Sequence, residues 1–261
     1  MRDHPGSSDP TGRFEAAGWT DTGPVRTANE DHWFVDHALG AYVVADGMGG
    51  HQAGEVAAQL AVAEVAADLA ASADPSFTWP LGRDAMAGRT ANRVRHAFCR
   101  ANEAVFAAGA ADPSLTGMGT TLTALVVDGT EAAVGSVGDS RAYLVRGQEA
   151  QQLTRDDTWL VSVLGKDGAR DAAARSHPMR HVLTRVIGAR ETGEPEVVGV
   201  ALAPGDVVVL ATDGLHNVVD DHRIGLLADG TAPDLAARRL VDEAVANGTT
   251  DNVTVVVVRH R

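Results

Sequence analysis

Three apolar runs in this 261-residue chain each lead into an aspartate, at Asp46, Asp139 and Asp213. Two more acidic positions, Glu30–Asp31 and Asp251, stand just before runs of the same kind. Short apolar runs bounded by turn signals are typical of buried strands. In an antiparallel sheet the last residue of one strand lies beside the first residue of its neighbour. The pattern therefore predicts antiparallel sheets in which these acids gather at one edge.

The segment after Asp46 is rich in glycine, with Gly47, Gly49 and Gly50. Glycines let the backbone approach a ligand closely, and hard divalent cations bind through oxygen atoms. An Asp-Gly pair on its own is an ordinary turn signal, and the chain has five of them. The pairs at Asp46 and Asp213 differ from the others because each ends a strongly apolar strand, which favours their interpretation as ligands.

Crowded carboxylates raise each other's pKa, so a gathering of this kind needs cations, and two divalent ions would resolve the repulsion. Arg26 stands just before Glu30 and Asp31. Its planar guanidinium suits two oxygens of a phosphate, but a structural salt bridge to one of the acids fits the spacing equally well. Two metals about 4 Å apart beside a phosphate clamp are a recurring arrangement for hydrolysing phosphoesters.

Hairpin links predominate between the predicted strands, which indicates an α+β class of antiparallel sheets with helices outside them. The stretch 153–190 is less regular, with helical patterns near 156–165 and 178–187, and we interpret it as a mobile insertion beside the acids. Polar residues with proline and glycine predict a disordered tail over 1–13, so that one domain spans 14–261. Four segments with helical periodicity complete the prediction: 53–71, 84–108, 221–228 and 233–246.

Composition excludes several classes of function. The formal charge of −13 and a pI near 5.1 argue against general binding to nucleic acid or to anionic membranes. Cys99 is the only cysteine, so the chain can form neither an internal disulfide nor a thiolate metal cluster. Its helical surroundings favour an inert buried thiol over a reactive one. Without an uncharged apolar run of about 18 residues or a hydrophobic leader, we expect a cytoplasmic protein.

Six motifs in order resemble those of the metal-dependent PP2C-type (PPM) protein serine/threonine phosphatases, and most closely the bacterial branch. The motifs are Arg26-x-x-Asn29-Glu30-Asp31, Asp46-Gly47-Met48-Gly49-Gly50-His51, Gly117-Met118-Gly119-Thr120-Thr121, Gly138-Asp139-Ser140-Arg141, Leu210-x-x-Asp213-Gly214-Leu215 and Asp251-Asn252-x-Thr254. The resemblance runs from about residue 15 to 259. It implies an antiparallel β-sandwich flanked by helices on both faces, with 153–190 as a flap near the substrate channel.

The resemblance also implies an activity and its cofactors. A PP2C-type enzyme hydrolyses phosphoserine and phosphothreonine in proteins in one step, with two Mn²⁺ or Mg²⁺ ions and an activated water. Members of the bacterial branch oppose Hanks-type kinases, so the expected partners are phosphorylated proteins, including such kinases and their substrates. We expect no nucleic-acid or membrane partner and a monomeric protein. Two alternatives remain: a regulatory phosphatase of an anti-anti-sigma factor, and a phosphoprotein-binding module with weak catalysis.

Individual roles follow from the matched motifs. By resemblance, Asp46 bridges both metals and the Gly47 carbonyl binds one of them. Asp213 and Asp251 would hold the other metal, and Glu30 and Asp31 would act through waters. Asp139 would serve a weaker third metal. Arg26 would grip the substrate phosphate, so that Arg26 and Asp46 are the expected catalytic residues.

Two positions depart from the family pattern. Met48 stands where animal members carry a histidine proposed as the general acid, and this role is not transferred to His51. Asn217 replaces an aspartate that supports the third metal, and a neutral amide is a poorer ligand for a cation. His177 and His181 have the spacing of a helical zinc pair, but Pro178 lies between them. The sequence leaves open whether His216, Lys166 and Arg185 meet substrate.

Overall fold

The computed structural model describes residues 4–8, 12–49, 53–74, 76–79, 82–169 and 177–261. Its strands form two antiparallel six-stranded sheets. The first sheet has the order β1-β2-β12-β11-β8-β9, and the second has the order β10-β7-β6-β4-β3 with β5 paired to β4. The strands are β1 His4–Ser8, β2 Phe14–Asp21, β3 Asp31–Asp36, β4 Ala41–Met48, β5 Gly119–Thr120, β6 Leu122–Asp128, β7 Glu131–Val137, β8 Arg141–Arg146, β9 Glu149–Gln152, β10 Glu196–Gly199, β11 Val207–Ala211 and β12 Val253–His260.

Helices cover both outer faces of the sandwich. They are α1 Ala53–Ala71, α2 Arg89–Ala111, α3 Trp159–Ala169, α4 Asp213–His216, α5 Asp221–Ala228 and α6 Pro233–Ala246, with a 3₁₀ turn at Pro113–Leu115. The helices α1 and α2 pack on the second sheet, while α4, α5 and α6 pack on the first. A third apolar layer fills the space between the two sheets. The predicted sandwich with helices on both faces is confirmed.

Side-chain size explains how closely the layers approach. The helix α1 turns Ala57, Ala58 and Ala61 inward, all fully buried, and such small side chains let a helix lie close to a sheet. The strand β12 is almost entirely buried because it lies between β2 and β11. Its unbroken valine run suits this central place. Among the described residues, none of the helices has both the length and the apolar character needed to cross a bilayer.

Three local predictions are wrong. The disordered tail predicted for 1–13 contains β1, which pairs with the edge of β2, whereas residues 1–3 and 9–11 lie outside the described part. The second helix begins at Arg89 and not at residue 84, because the side chain of Asn92 binds the backbone of the preceding loop at Asp84, Ala87 and Gly88. The segment near 178–187 forms turns and isolated bridges instead of a helix.

The less regular stretch 153–190 contains α3 and then runs back beside it. The Trp159 amide donates to the Val182 carbonyl at 2.8 Å, and the Thr184 amide donates to the Asp157 carbonyl at 2.7 Å. These contacts hold its two described arms together, while residues 170–176 lie outside the described part. Its role as a mobile flap stays a prediction.

Candidate active site

The strand ends bring the five aspartates of the candidate site into one cluster. Asp31 is the direct register partner of Asp46 across the β3–β4 pair. Asp213 begins α4 right after β11, and Asp139 and Asp251 stand after β7 and before β12. The Asp46 carboxyl interacts electrostatically with the other four. The pairing of the strands therefore brings these acids together at one edge, as predicted. No single segment contains all of them.

The pKa values of four of these acids, Asp31, Asp46, Asp139 and Asp213, are raised. Burial raises the pKa of Asp31 to about 7 and that of Asp213 to about 6, with further repulsion from Asp251 in both cases. Dense protein surroundings raise the pKa of Asp46 well above its usual value, although it keeps some access to solvent, and Asp31 adds to the shift. Burial likewise raises the pKa of Asp139. The cluster therefore resists ionisation unless positive charge is supplied.

Several carboxylate oxygens in the cluster have nothing to bind among the described residues. Glu30 Oε1, Asp31 Oδ1 and Asp213 Oδ1 are buried without a hydrogen-bond partner there. Buried charged acceptors are costly when unpaired, and an all-oxygen set of carboxylates is what Mg²⁺ and Mn²⁺ prefer. The donor chemistry fits such ions. No three acidic, His or Cys side chains of the described residues already surround one point as ligands, so the carboxylates would have to move together around an ion.

Arg26 contacts this cluster through Asp251. Its Nη2 donates to Asp251 Oδ2 at 2.7 Å, and half of the Arg26 side chain is exposed. The structure thus contains the salt bridge, one of the two roles that the spacing left open. The other role is compatible with it, because the exposed guanidinium faces a cleft of about 1180 Å³ that Asp139, Asp213 and Asp251 also line.

Comparison with known protein families is consistent with this cluster of acids beside Arg26. The family model for protein phosphatase 2C matches residues 25–248. This chain belongs to the protein phosphatase 2C family. The resemblance found in its motifs is confirmed.

Two curated relatives illustrate the match. The chain is 37% identical over 240 residues to the serine/threonine protein phosphatase PstP of Mycobacterium tuberculosis, covering 91% of this chain and 43% of that protein. It is 32% identical over 250 residues to the protein phosphatase PhpP of Streptococcus pneumoniae, covering 92% and 94% of the two chains. The chain therefore spans less than half the length of PstP and nearly all of PhpP.

Solved structures superpose over almost the whole chain. The Mycobacterium tuberculosis phosphatase PstP/Ppp has a TM-score of 0.82 and 33% identity, covering 95% of this chain and 99% of that one. A PstP catalytic domain in complex with two manganese ions has a TM-score of 0.79 and 33% identity, covering 94% and 97%.

The family loop after Asp46 depends on glycine. A Cβ at Gly47 would lie 2.1 Å from the Gly54 carbonyl oxygen at the start of α1. The Gly47 amide donates to the Glu30 carbonyl at 3.2 Å. This close packing holds Glu30 beside Asp46, whereas a metal contact of the Gly47 carbonyl stays a prediction. Met48 lines a separate apolar cavity of about 420 Å³, and His51 lies outside the described part.

Asn217, the family departure near Asp213, and its neighbour His216 both make contacts at the site. Asn217 Nδ2 donates to Asp213 Oδ2 at 3.1 Å, so the amide orients a predicted metal ligand. His216 Nε2 lies 3.0 Å from the Asp139 carbonyl, and because a carbonyl only accepts, Nε2 carries the hydrogen. Dense surroundings, with Arg141 nearby, lower the pKa of His216 to about 3. His216 is thus a neutral, partly buried donor in the wall of the cleft.

The remaining residues singled out in the sequence, apart from Lys166, have structural roles or line the cleft. His177 stacks on Trp159 and His181 lines the cleft, and the turn at 178–180 removes the helical spacing of a zinc pair. Arg185 is bound to Asp157 at 2.8 Å, and nothing is described for the side chain of Lys166. Burial raises the pKa of the half-buried Cys99 to about 11, as an inert thiol requires.

The sequence interpretation missed the hydroxyls that support the acids. Thr212 Oγ1 donates to Asp31 Oδ2 at 2.9 Å, and Thr120 Oγ1 donates to the Asp46 carbonyl at the same distance. Thr121 Oγ1 accepts from the Asp46 amide, also at 2.9 Å. All three threonines are fully buried. A threonine within or next to an otherwise apolar strand is the signal that could have found them, since a buried hydroxyl needs a partner.

Proposed function

We propose that this chain is a metal-dependent protein serine/threonine phosphatase. The observation that carries the proposal is the cluster of carboxylates with unpartnered oxygens, opening onto a cleft that also holds Arg26. The phosphatase names of the relatives and the two manganese ions bound to the PstP domain support it. In this proposal Asp46, Asp213, Asp251, Glu30, Asp31 and the Gly47 carbonyl hold two Mn²⁺ or Mg²⁺ ions.

The residues divide the chemical work. When bound by these carboxylates, two divalent ions would lower the pKa of a water and offer positive charge to a phosphoryl group. Arg26 binds the phosphate oxygens from the open side of the cleft, next to Asp251. Met48 has no proton to give, and His216 is neutral and committed to the Asp139 carbonyl. Protonation of the departing serine or threonine oxygen is therefore assigned to solvent.

We propose that the substrates are phosphorylated proteins, including Hanks-type kinases and their targets, that the enzyme acts as a monomer in the cytoplasm, and that Asp139 contributes to a weak third metal site. The exposed residues Arg180 and His181 are among those that line the cleft, which suits a phosphorylated segment of a protein better than an enclosed small molecule.

A depletion experiment tests the function. The protein is treated with EDTA, desalted and assayed on p-nitrophenyl phosphate, a phosphorylated kinase activation loop and a phosphorylated anti-anti-sigma factor. Activity on all substrates should vanish without metal and return with Mn²⁺, and the activation loop should be the better protein substrate. Turnover without metal would refute the proposal. Preference for the anti-anti-sigma factor would favour the regulatory alternative, and binding without turnover would favour the phosphoprotein-binding module.

A further inference from the structure

The loop at 22–30 carries Arg26 and Glu30 but contains neither helix nor strand, and residues 24–28 are exposed. Its position is therefore decided by contacts at its ends. A Cβ at Gly23 would lie 2.2 Å from the Asp251 carbonyl oxygen, so the loop passes directly over Asp251. A loop so exposed needs anchors if Arg26 is to stand at a fixed place beside the acids.

One buried side chain bonds to both ends of the loop, in addition to the bonds of Gly23 to Asp21 and of Asn29 to Thr20. Asn252, which is only 6% exposed, donates from Nδ2 to the Thr22 carbonyl at 2.8 Å and to the Ala28 carbonyl at 2.9 Å. Its Oδ1 accepts from the Glu30 amide at 2.8 Å. The three bonds hold the loop at both ends and use both hydrogens and the oxygen of the amide.

The same residue also orients the acid on the other side of Arg26. The Asn252 backbone amide donates to Asp251 Oδ1 at 2.8 Å, while Arg26 donates to Asp251 Oδ2 at 2.7 Å. Asn252 therefore contacts the loop that carries the arginine and the carboxylate that pairs with it. Displacing its side chain would release the loop without removing any acid of the cluster.

Asn92 shows the same device far from the acids. It is 2% exposed, donates to three backbone carbonyls and accepts from the Asp84 amide at 2.8 Å. It anchors the loop before α2, near Asp128 at the opposite end of the sandwich. Since Asn92 and Asn252 have similar burial and bonding, Asn92 provides a matched control for the cost of losing such an anchor.

We propose that Asn252 is a positioning residue that fixes Arg26 and Glu30 relative to Asp251 for binding of the substrate phosphate. This role rests on the proposed phosphatase function. An aspartate at this position would keep an acceptor for the Glu30 amide but lose both donors to the loop. An alanine would lose all three bonds. Mutation of a residue that supports ligands in this indirect way commonly lowers activity about 10- to 100-fold.

The kinetic test compares Asn252→Ala and Asn252→Asp with Asn92→Ala, each alone and combined with Arg26→Ala. We expect Asn252→Ala to lower kcat/KM on a phosphopeptide with Mn²⁺ by about tenfold or more, largely through KM, and to weaken inhibition by inorganic phosphate. In the Arg26→Ala background the same change should cost less than about twofold, because coupled residues are not additive. Asn92→Ala should add the same small effect in both backgrounds.

Hydrogen–deuterium exchange of the metal-free protein tests the anchor without relying on activity. Residues 22–30 should exchange faster in Asn252→Asp than in the wild type, and residues 84–88 should exchange faster only in Asn92→Ala. Unchanged exchange at 22–30, or a kinetic effect that is fully additive with Arg26→Ala, would overturn the proposal. Absence of phosphatase activity in the wild type would instead refute the proposed function. The exchange data would still show whether Asn252 anchors residues 22–30.

Discussion

The two ends of the sandwich differ in whether the acidic residues at their strand ends are paired with arginines. At the end that holds Arg259 and Arg261, Glu15 is bound by both of these arginines, and Asp206 is bound by Arg146 at 2.7 Å. At the other end stand five aspartates and Glu30. Among the described residues, the one salt bridge from an arginine to these six acids is that from Arg26 to Asp251. Strand-end acids are thus paired at one end and left in need of cations at the other.

The pKa values record this difference. The hydrogen bond from Arg261 lowers the pKa of Glu15, and that from Arg146 lowers the pKa of Asp206. Burial instead raises the pKa of Asp31 to about 7 and that of Asp213 to about 6. The paired end is built for stability, whereas the acidic edge holds charge that is unfavourable until an ion arrives. Such a local conflict is what a functional site is expected to show.

Removing Asp46, the central acid, should have the largest effect on the acidic edge. Asp46→Asn should lower kcat/KM with Mn²⁺ by about 10³-fold or more, because bound metals supply several kcal/mol to phosphoryl transfer. The measurement is hydrolysis of p-nitrophenyl phosphate, with Glu15→Gln from the paired end as control. An Asp46→Asn enzyme with activity close to wild type would contradict the assignment of Asp46.

Neutralising one crowded acid should stabilise the metal-free protein. A carboxyl whose pKa is raised by folding weakens the fold as pH rises from its unfolded value near 4 through its folded value, here about 7 for Asp31. The Tm of Asp31→Asn minus that of the wild type in EDTA should therefore be positive and grow between pH 5 and 8, by several degrees.

Taking the difference between the two proteins at each pH cancels the contributions to Tm that they share. Mn²⁺ should then raise the Tm of the wild type more than that of the variant. A Tm difference that is negative, or that does not change with pH, would show that repulsion at the acidic edge does not govern its stability.

Metal binding should release protons from the acidic edge. At pH 6 the pKa values of about 7 for Asp31 and about 6 for Asp213 leave both partly protonated, and ligands must be deprotonated to bind. Titration calorimetry with Mn²⁺ in buffers of different ionisation enthalpy should give roughly one proton or more released at pH 6 and fewer at pH 8. Equal proton release at both values would argue against these shifts.

The smallest effect is expected at the paired end. Glu15→Gln removes a partly exposed pair with two arginines and should lower the free energy of unfolding by about 1 kcal/mol or less, a Tm change of roughly 2–4 °C or less. Phosphatase activity should stay unchanged. A loss of activity would show that the two ends are coupled through the sheets and are not independent.

Strand-end acids were readable from sequence because strand direction and antiparallel pairing decide where Asp46 and Asp213 must lie. The glycine motif and the buried valine run of β12 were readable for the same reason, since each depends on local pattern. Contacts between distant segments were not. The bonds from Asn252 to Thr22 and Ala28, and that from Thr212 to Asp31, join residues far apart in the chain. The start of α2 was likewise decided by Asn92 and its loop, which outweighed helix propensity.

Arg261 lies far from the acidic edge, since its amide donates to the Arg13 carbonyl at 2.7 Å just before β2 begins. The last strand runs the length of the sandwich, from Val253 beside the acids to His260 at the opposite end. A tether attached at Arg261 would therefore anchor the molecule to a support with its cleft facing the bulk solution. Immobilised in this orientation, the protein would be suited to testing the proposed binding of phosphorylated partners by surface plasmon resonance.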